Sequence, residues 1–320
     1  MDMISNCSAF AIKSAATSLR EGNLVAFPTE TVYGLGGDAQ NKGAVAKIYK
    51  VKSRPTDHPL IIHLSSTEYL AKWVRDIPDY AIKLAGDFWP GPMTLILPRT
   101  DLAKDFITGS QDTVGVRVPS HSVALALLKE FESQGGLGVA APSANRFGKV
   151  SPTSAEAVQE ELFNYLEPKD LILDGGLSHI GVESTIIDCT GSTPSILRPG
   201  GITRAMVENS LGIVVDDYPK TLVNQMKAPG LLKSHYSPTA KVLLNGIPSE
   251  GDGFIALATH STPQGAIRLA SPNNNTEYAK ELYQALRLAD NKNLKRVFVI
   301  PPIGDDIAVA IRDRLQKSKT

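Results

Sequence analysis

Leu24-Val25-Ala26-Phe27-Pro28-Thr29-Glu30-Thr31-Val32-Tyr33-Gly34-Leu35-Gly36-Gly37-Asp38-Ala39 is the stretch on which the fold turns. It opens on a short apolar run of the kind buried in a sheet. The next helical pattern, with apolar residues a turn apart over 44–49, starts only after Asn41. The hydroxyl- and glycine-rich segment between them reads as a turn. Formally it holds GxGxxA, and Asp57 lies where a dinucleotide fold places its ribose-binding acid. Pro28 through Tyr33 intervene between strand and glycines, however, and this spacing disfavours the dinucleotide reading. A tight turn explains the glycines but not Thr29, Glu30 and Thr31 together.

Working outward, apolar runs at 60–64, 93–97, 114–118 and 171–173 predict further strands, and helical spacing recurs at 10–19, 80–88, 123–131 and 154–163. The fold class is therefore α/β. Strands at 184–188 and 195–197 leave no room for a helix between them, so they predict antiparallel pairing and a mixed sheet. Near Asp216 the pattern breaks into a polar stretch with Pro219, Pro229, Gly230 and Pro238. Strands at 241–244, 254–258 and 297–300, with helices at 276–289 and 305–316, follow it. The expected division is a catalytic domain over 1–215, a linker or lid over 216–239 and a small α/β accessory domain over 240–320.

The chain has 320 residues, 42% of them hydrophobic and 21% charged, the composition of a globular protein. Its 33 basic and 33 acidic residues balance, which argues against broad nucleic-acid binding, since that needs an excess of cations to displace counterions. Cys7 and Cys189 stand far apart in no zinc-binding pattern, and a reducing compartment fits them. Residues 1–20 lack the basic start and apolar block of a signal peptide, and no run reaches transmembrane length, so the expected location is cytoplasmic.

Two segments carry candidate chemistry. Lys50, Lys52 and Arg54 alternate along the exit of a helix, where they read either as a phosphate grip or as a solvated helix end that meets the dipole. Spacing does not separate these readings. In Ala140-Ala141-Pro142-Ser143-Ala144-Asn145, followed by Ser151, small residues let a ligand approach the backbone while hydroxyl and amide groups offer hydrogen bonds. Ser143 lacks the GxSxG elbow of a nucleophile and reads as a binding group. His58 and His63 do not form a helical HxxxH face, so no protein-ligated metal is expected.

Taken in order, PTETVYGLG at 28–36, KSRP at 52–55, PSAN at 142–145 and ESTIID at 183–188 resemble the threonylcarbamoyl-AMP synthases of the YrdC type. WPGPMTL at 89–95, TVGVRVP at 113–119 and LRPG at 197–200 support the likeness. Ala228-Pro229-Gly230 and His235-Tyr236-Ser237-Pro238 are similar to the long form, in which an accessory domain follows a loop that closes over the site. Two departures stand out: Leu231-Leu232-Lys233-Ser234 carries one charge where many long-form members carry more, and Phe147 stands where a small serine is common.

The resemblance implies a twisted mixed open sheet with a second, smaller Rossmann-like α/β domain. It implies an enzyme that joins L-threonine, bicarbonate or carbon dioxide, and ATP into threonylcarbamoyl-AMP, releasing pyrophosphate. The product would serve a tRNA threonylcarbamoyl transferase machinery, with no stable nucleic-acid binding and no membrane required. Carried over by motif, Lys52 and Arg54 supply the catalytic positive field. ATP meets Arg54, His58, Thr113, Ser143, Asn145, Ser151, Arg198 and Tyr236, with Mg2+ on its triphosphate. Threonine meets Thr31, His63, Arg117, the backbone of Ala141, and Ser184. Two rivals are a carbamoyl-transfer enzyme of hydrogenase maturation, which needs further cysteine-rich modules, and an RNA-binding module, which needs basic charge and stacking aromatics.

Overall fold

The computed structural model describes residues 3–217 and 236–319. Most of the expected linker, including Ala228-Pro229-Gly230, Leu231 to Ser234 and His235, lies outside the described residues.

In the first unit the strands are β1 (Ile4–Ser5), β2 (Val25–Phe27), β3 (Gly34–Asp38), β4 (Ile61–His63), β5 (Met93–Pro98), β6 (Thr113–Arg117), β7 (Val139–Ala140), β8 (Leu171–Leu173), β9 (Thr185–Asp188), β10 (Ser195–Arg198) and β11 (Asp216–Asp217). They form one mixed sheet in the order β1-β8-β2-β3-β7-β4-β6-β5-β9-β10-β11. The predicted antiparallel pair is present, with Ser195 opposite Asp188 and Ile196 opposite Ile187.

The glycine-rich segment corrects the turn reading. Gly34–Asp38 is a buried strand, antiparallel to β2 with Val25 opposite Gly36. A Cβ on Gly36 would sit 2.8 Å from Phe27 Cε1 and 2.8 Å from Val139 Cγ1. Here glycine serves close packing between neighbouring strands, not a positive φ.

Apolar side chains cover both faces of this sheet. Helices Ala9–Arg20 and Ser122–Ser133 pack together and bury Leu19, Leu127, Leu128 and Phe131 against Val25 and Phe27. The larger core gathers Leu24, Ile48, Ile62, Trp73, Leu95 and Val116. Helix Lys42–Lys52 starts under an Asn41 cap that accepts from the Gly43 and Ala44 amides, and it ends at Ser53 with φ +49°. That left-handed residue swings the chain out of the helix and delivers Arg54.

The second unit is a parallel sheet of β12 (Lys241–Leu243), β13 (Gly253–Ile255), β14 (Ile267–Ala270) and β15 (Arg296–Val299), in the order β12-β15-β13-β14. Helices Asn275–Asn291 and Ala308–Lys317 pack on it. Their core of Tyr278, Leu282, Leu286, Ile311 and Leu315 is continuous with Val32, Val150 and Val182 of the first unit. At the contact Gly181 has φ +81°, and a Cβ there would lie 2.4 Å from the Ala279 carbonyl oxygen. A residue with no side chain is thus required where helix meets loop. Among the described residues no helix is long and apolar enough to cross a membrane.

Candidate active site

Strand register builds the first half of the site. β4 and β6 are parallel and in step, so His63 and Arg117 stand opposite each other at their carboxyl ends, where α/β sheets present ligand sites. Arg117 is buried. Its Nη2 donates to Glu30 Oε1 at 2.6 Å and to Thr31 Oγ1 at 3.0 Å, and its Nε donates to the Gly91 carbonyl at 3.3 Å. Glu30 is fixed in turn by the Ser120 amide, 3.0 Å from Oε2. The Thr29 hydroxyl lies 2.8 Å from that of Thr31 and donates to the Val32 carbonyl at 2.6 Å, which shapes the loop carrying both. Burial, and then the Arg117 charge, pushes the His63 imidazole down to about 3, so it is neutral at physiological pH.

Loops build the second half. Leu35 donates to the Pro142 carbonyl and Ala144 to the Tyr33 carbonyl, at 2.8 Å each, which zips the PSAN segment onto the end of β3. Lys52 requires a correction to the sequence reading. It is fully buried, and its Nζ donates to the Ser143 carbonyl at 2.6 Å and to the Asn145 carbonyl. Burial, reinforced by Arg54, depresses its pKa well below that of a free lysine. Lys52 therefore ties down the loop that presents Ser143 and does not line the cavity. Asn145 likewise turns inward, its amide donating to the Arg146 and Lys149 carbonyls at 2.8 Å.

Arg54 does reach the cavity. Its Nη2 donates to the Pro59 carbonyl at 3.0 Å, and its guanidinium lies 5.7 Å from the centroid of the Phe147 ring. Phe147, the departure noted in the sequence, thus supports a cation, and the His58 ring meets it edge-on at 5.4 Å. Arg198 crosses to the same cavity, donating from Nη2 to the Ser184 carbonyl at 2.8 Å and hydroxyl at 3.1 Å.

One cavity gathers Thr31, Arg54, His63, Arg117, Ala141, Ser143, Ser184, Arg198 and Tyr236 from the predicted set. Its remaining walls are Thr29, Val32, Tyr33, Gly34, Ile61, Pro142 and Glu183. Lys52, His58, Thr113, Asn145 and Ser151 do not line it. Thr113, half-buried, starts the strand whose other end carries Arg117. Ser151 sits behind the wall, its hydroxyl donating to Glu183 Oε1 at 2.6 Å.

Sequence reasoning noted Glu30 without giving it a role and passed over Glu183, although both lie inside quoted motifs. It also passed over Tyr283 and Arg314, which bond Glu183 from the second unit. A signal for Arg314 existed: it is a charge inside the apolar stripe of Ile311 and Leu315. Among the described residues no cluster of His, Cys, Asp or Glu could hold a metal ion.

Comparison with known proteins places this geometry. The Sua5_yciO_yrdC family model, described as "Telomere recombination", matches residues 17–200. A second, described as "Threonylcarbamoyl-AMP synthase, C-terminal domain", matches residues 202–319. The chain is 40% identical to the threonylcarbamoyl-AMP synthase of Pyrococcus abyssi (strain GE5 / Orsay), over 96% of this chain and 93% of that one. It is 38% identical to that of Bacillus subtilis (strain 168), over 96% and 92%. The crystal structure of P. abyssi Sua5 complexed with L-threonine superimposes with a TM-score of 0.88 at 37% identity, covering 99% of this chain and 97% of that one.

Proposed function

Since the chain belongs to the threonylcarbamoyl-AMP synthase family, we propose that its cavity binds L-threonine at the β4/β6 end and ATP beneath Arg54, Arg198 and Tyr236. The enzyme makes threonylcarbamoyl-AMP. The observation that carries the assignment of halves is the placement of one buried arginine beside a neutral histidine, with two further arginines, Arg54 and Arg198, on the same cavity as Ser143.

Arg117 is the partner for the threonine carboxylate, because a guanidinium pairs with a carboxylate through a planar fork. Glu30 and Thr31 hold it in orientation. Neutral His63, Thr31, the Ala141 backbone and Ser184 complete the amino-acid pocket with uncharged groups. The threonine amine forms a carbamate with carbon dioxide derived from bicarbonate, giving up a proton to solvent. A carbamate oxygen then bonds to the α-phosphorus while the bond to the bridging oxygen breaks, and pyrophosphate leaves with that electron pair. No protein nucleophile is needed. Arg54 and Arg198 offset the charge that develops on the phosphates, and Ser143 supplies a hydrogen bond.

A magnesium ion would arrive on the triphosphate. Among the described residues, Glu30 is paired with Arg117 and Glu183 with Arg314. Bound there, such an ion would supply positive charge to the phosphates, beside that of Arg54 and Arg198. The same reading divides the chain into a catalytic domain over 1–215, a linker over 216–239 and an accessory domain over 240–320. It sets the reaction in the cytoplasm, with a tRNA-modifying threonylcarbamoyl transferase as consumer of the product.

Pyrophosphate release from ATP by the purified protein is the direct test. It should require L-threonine and bicarbonate together, and release indifferent to threonine would overturn the assignment.

A further inference from the structure

Glu183 and Tyr236 both line the cavity, and both are held in place from the second unit. Glu183 is 6% exposed. Its Oε2 accepts from Arg314 Nε at 2.7 Å and from the Tyr283 hydroxyl at 2.9 Å, while Oε1 takes the Ser151 hydroxyl. Tyr283 belongs to helix Asn275–Asn291 and Arg314 to helix Ala308–Lys317.

Tyr236 is gripped by the same two side chains. Its ring stacks on that of Tyr283 with centroids 5.9 Å apart, and the Arg314 guanidinium lies 5.3 Å from its centroid. Ser318 donates to its backbone carbonyl at 3.0 Å. Arg314 is itself wholly buried, and Nη1 donates to Asp313 at 2.6 Å. A buried ion pair of this kind contributes little net stability, because desolvating both charges offsets their attraction. What it does supply is a fixed position for the groups it touches.

Resting on the reading above, we propose that Arg314 and Tyr283 are positioning residues for the nucleotide half of the active site. They fix the Glu183 carboxylate and the Tyr236 ring, so that the ATP pocket is assembled across both units. The threonine pocket, held by Glu30, Thr31, His63 and Arg117, is built by the first unit alone. The accessory unit is thereby part of the ATP site.

Electrostatics agrees with the geometry. Burial alone raises the Glu183 pKa, but the charges of Arg314 and Arg198 outweigh it and hold the carboxyl at about 2. Removing Arg314 leaves burial opposed by Arg198 and neutral donors, so the carboxyl moves up and the wall loses its charge as pH falls.

The test uses the full chain with Arg314→Met, Arg314→Lys and Tyr283→Phe, and measures Kd for α,β-methylene-ATP and for L-threonine by calorimetry. Arg314→Met should weaken the nucleotide about tenfold and threonine less than about twofold. Lysine should restore most of the loss, and Tyr283→Phe should weaken the nucleotide about threefold. In Arg314→Met alone, nucleotide affinity should fall between neutral pH and pH 5. Equal weakening of both ligands, or unchanged nucleotide affinity in all three variants, overturns the proposal. If Arg314→Met does not fold, the lysine and phenylalanine variants still decide it. Wild-type protein that binds the nucleotide analogue but releases pyrophosphate without threonine instead refutes the assigned reaction, independently of these ratios.

Discussion

The two ends of the cavity are built by different means. At the end proposed for threonine, His63 and Arg117 are set by the register of two adjacent strands, and the carboxylate orienting Arg117 comes from the loop that follows β2. At the end proposed for the nucleotide, Arg54, Ser143 and Tyr236 come from three loops, fixed by a buried lysine and by side chains from a second unit. Side chains set by sheet register take their placement from the ladder itself. A pocket assembled from loops depends on every tie that holds them, and its affinity can be changed from a distance.

The contrast breaks most readily at Arg54. Arg54→Ala removes a cation that lines the cavity and that the proposal sets against the phosphates, and loss of such a preorganised charge costs about 10²–10³ in turnover. Threonine binding and the melting temperature should hold near wild type. Steady-state kinetics with calorimetry checks this, and near-normal turnover would show that the phosphates lie elsewhere.

Glu30 sharpens the other end. Glu30→Gln keeps the shape but removes the charge that orients Arg117, which should weaken threonine by about tenfold while leaving the nucleotide analogue within about twofold. Parallel titrations of both ligands read the difference. Equal losses would mean that the two ends are one mechanical unit.

These regions also differ in what their sequence discloses. The KSRP, PSAN and ESTIID segments declare polar groups inside small-residue surroundings, and Arg54, Ser143 and Ser184 from them line the cavity. For Lys52, charge spacing does not say whether the ammonium group faces a cavity or the two carbonyls it meets behind it. β3 was read as a turn because its glycines serve interstrand packing that no local pattern carries. Arg314 and Tyr283 lie a hundred residues or more from the glutamate they hold, so only the tertiary fold brings them to the site. Strands with continuous apolar runs, such as 171–173, were legible because burial on both faces leaves a compositional trace.

The smallest expected effect separates binding from stability at His63. Its imidazole is held at about 3 in the folded chain, far below its ordinary value near 6.5. A group depressed by folding contributes stability above its unfolded pKa, and that stability is lost as pH falls below it, because the unfolded chain binds the proton first. Between pH 7.5 and pH 6 the folded protein should lose about 0.8 kcal/mol from this residue alone, a figure that follows from 1.36 kcal/mol per pKa unit. His63→Gln should flatten the slope of denaturant-measured stability across that window. Threonine affinity of the wild type should show no inflection at pH 6.5, because the neutral imidazole of the folded pocket does not titrate there. An inflection in binding at that pH would place His63 in contact with water, and the threonine pocket would then be as adjustable as the nucleotide pocket beside it.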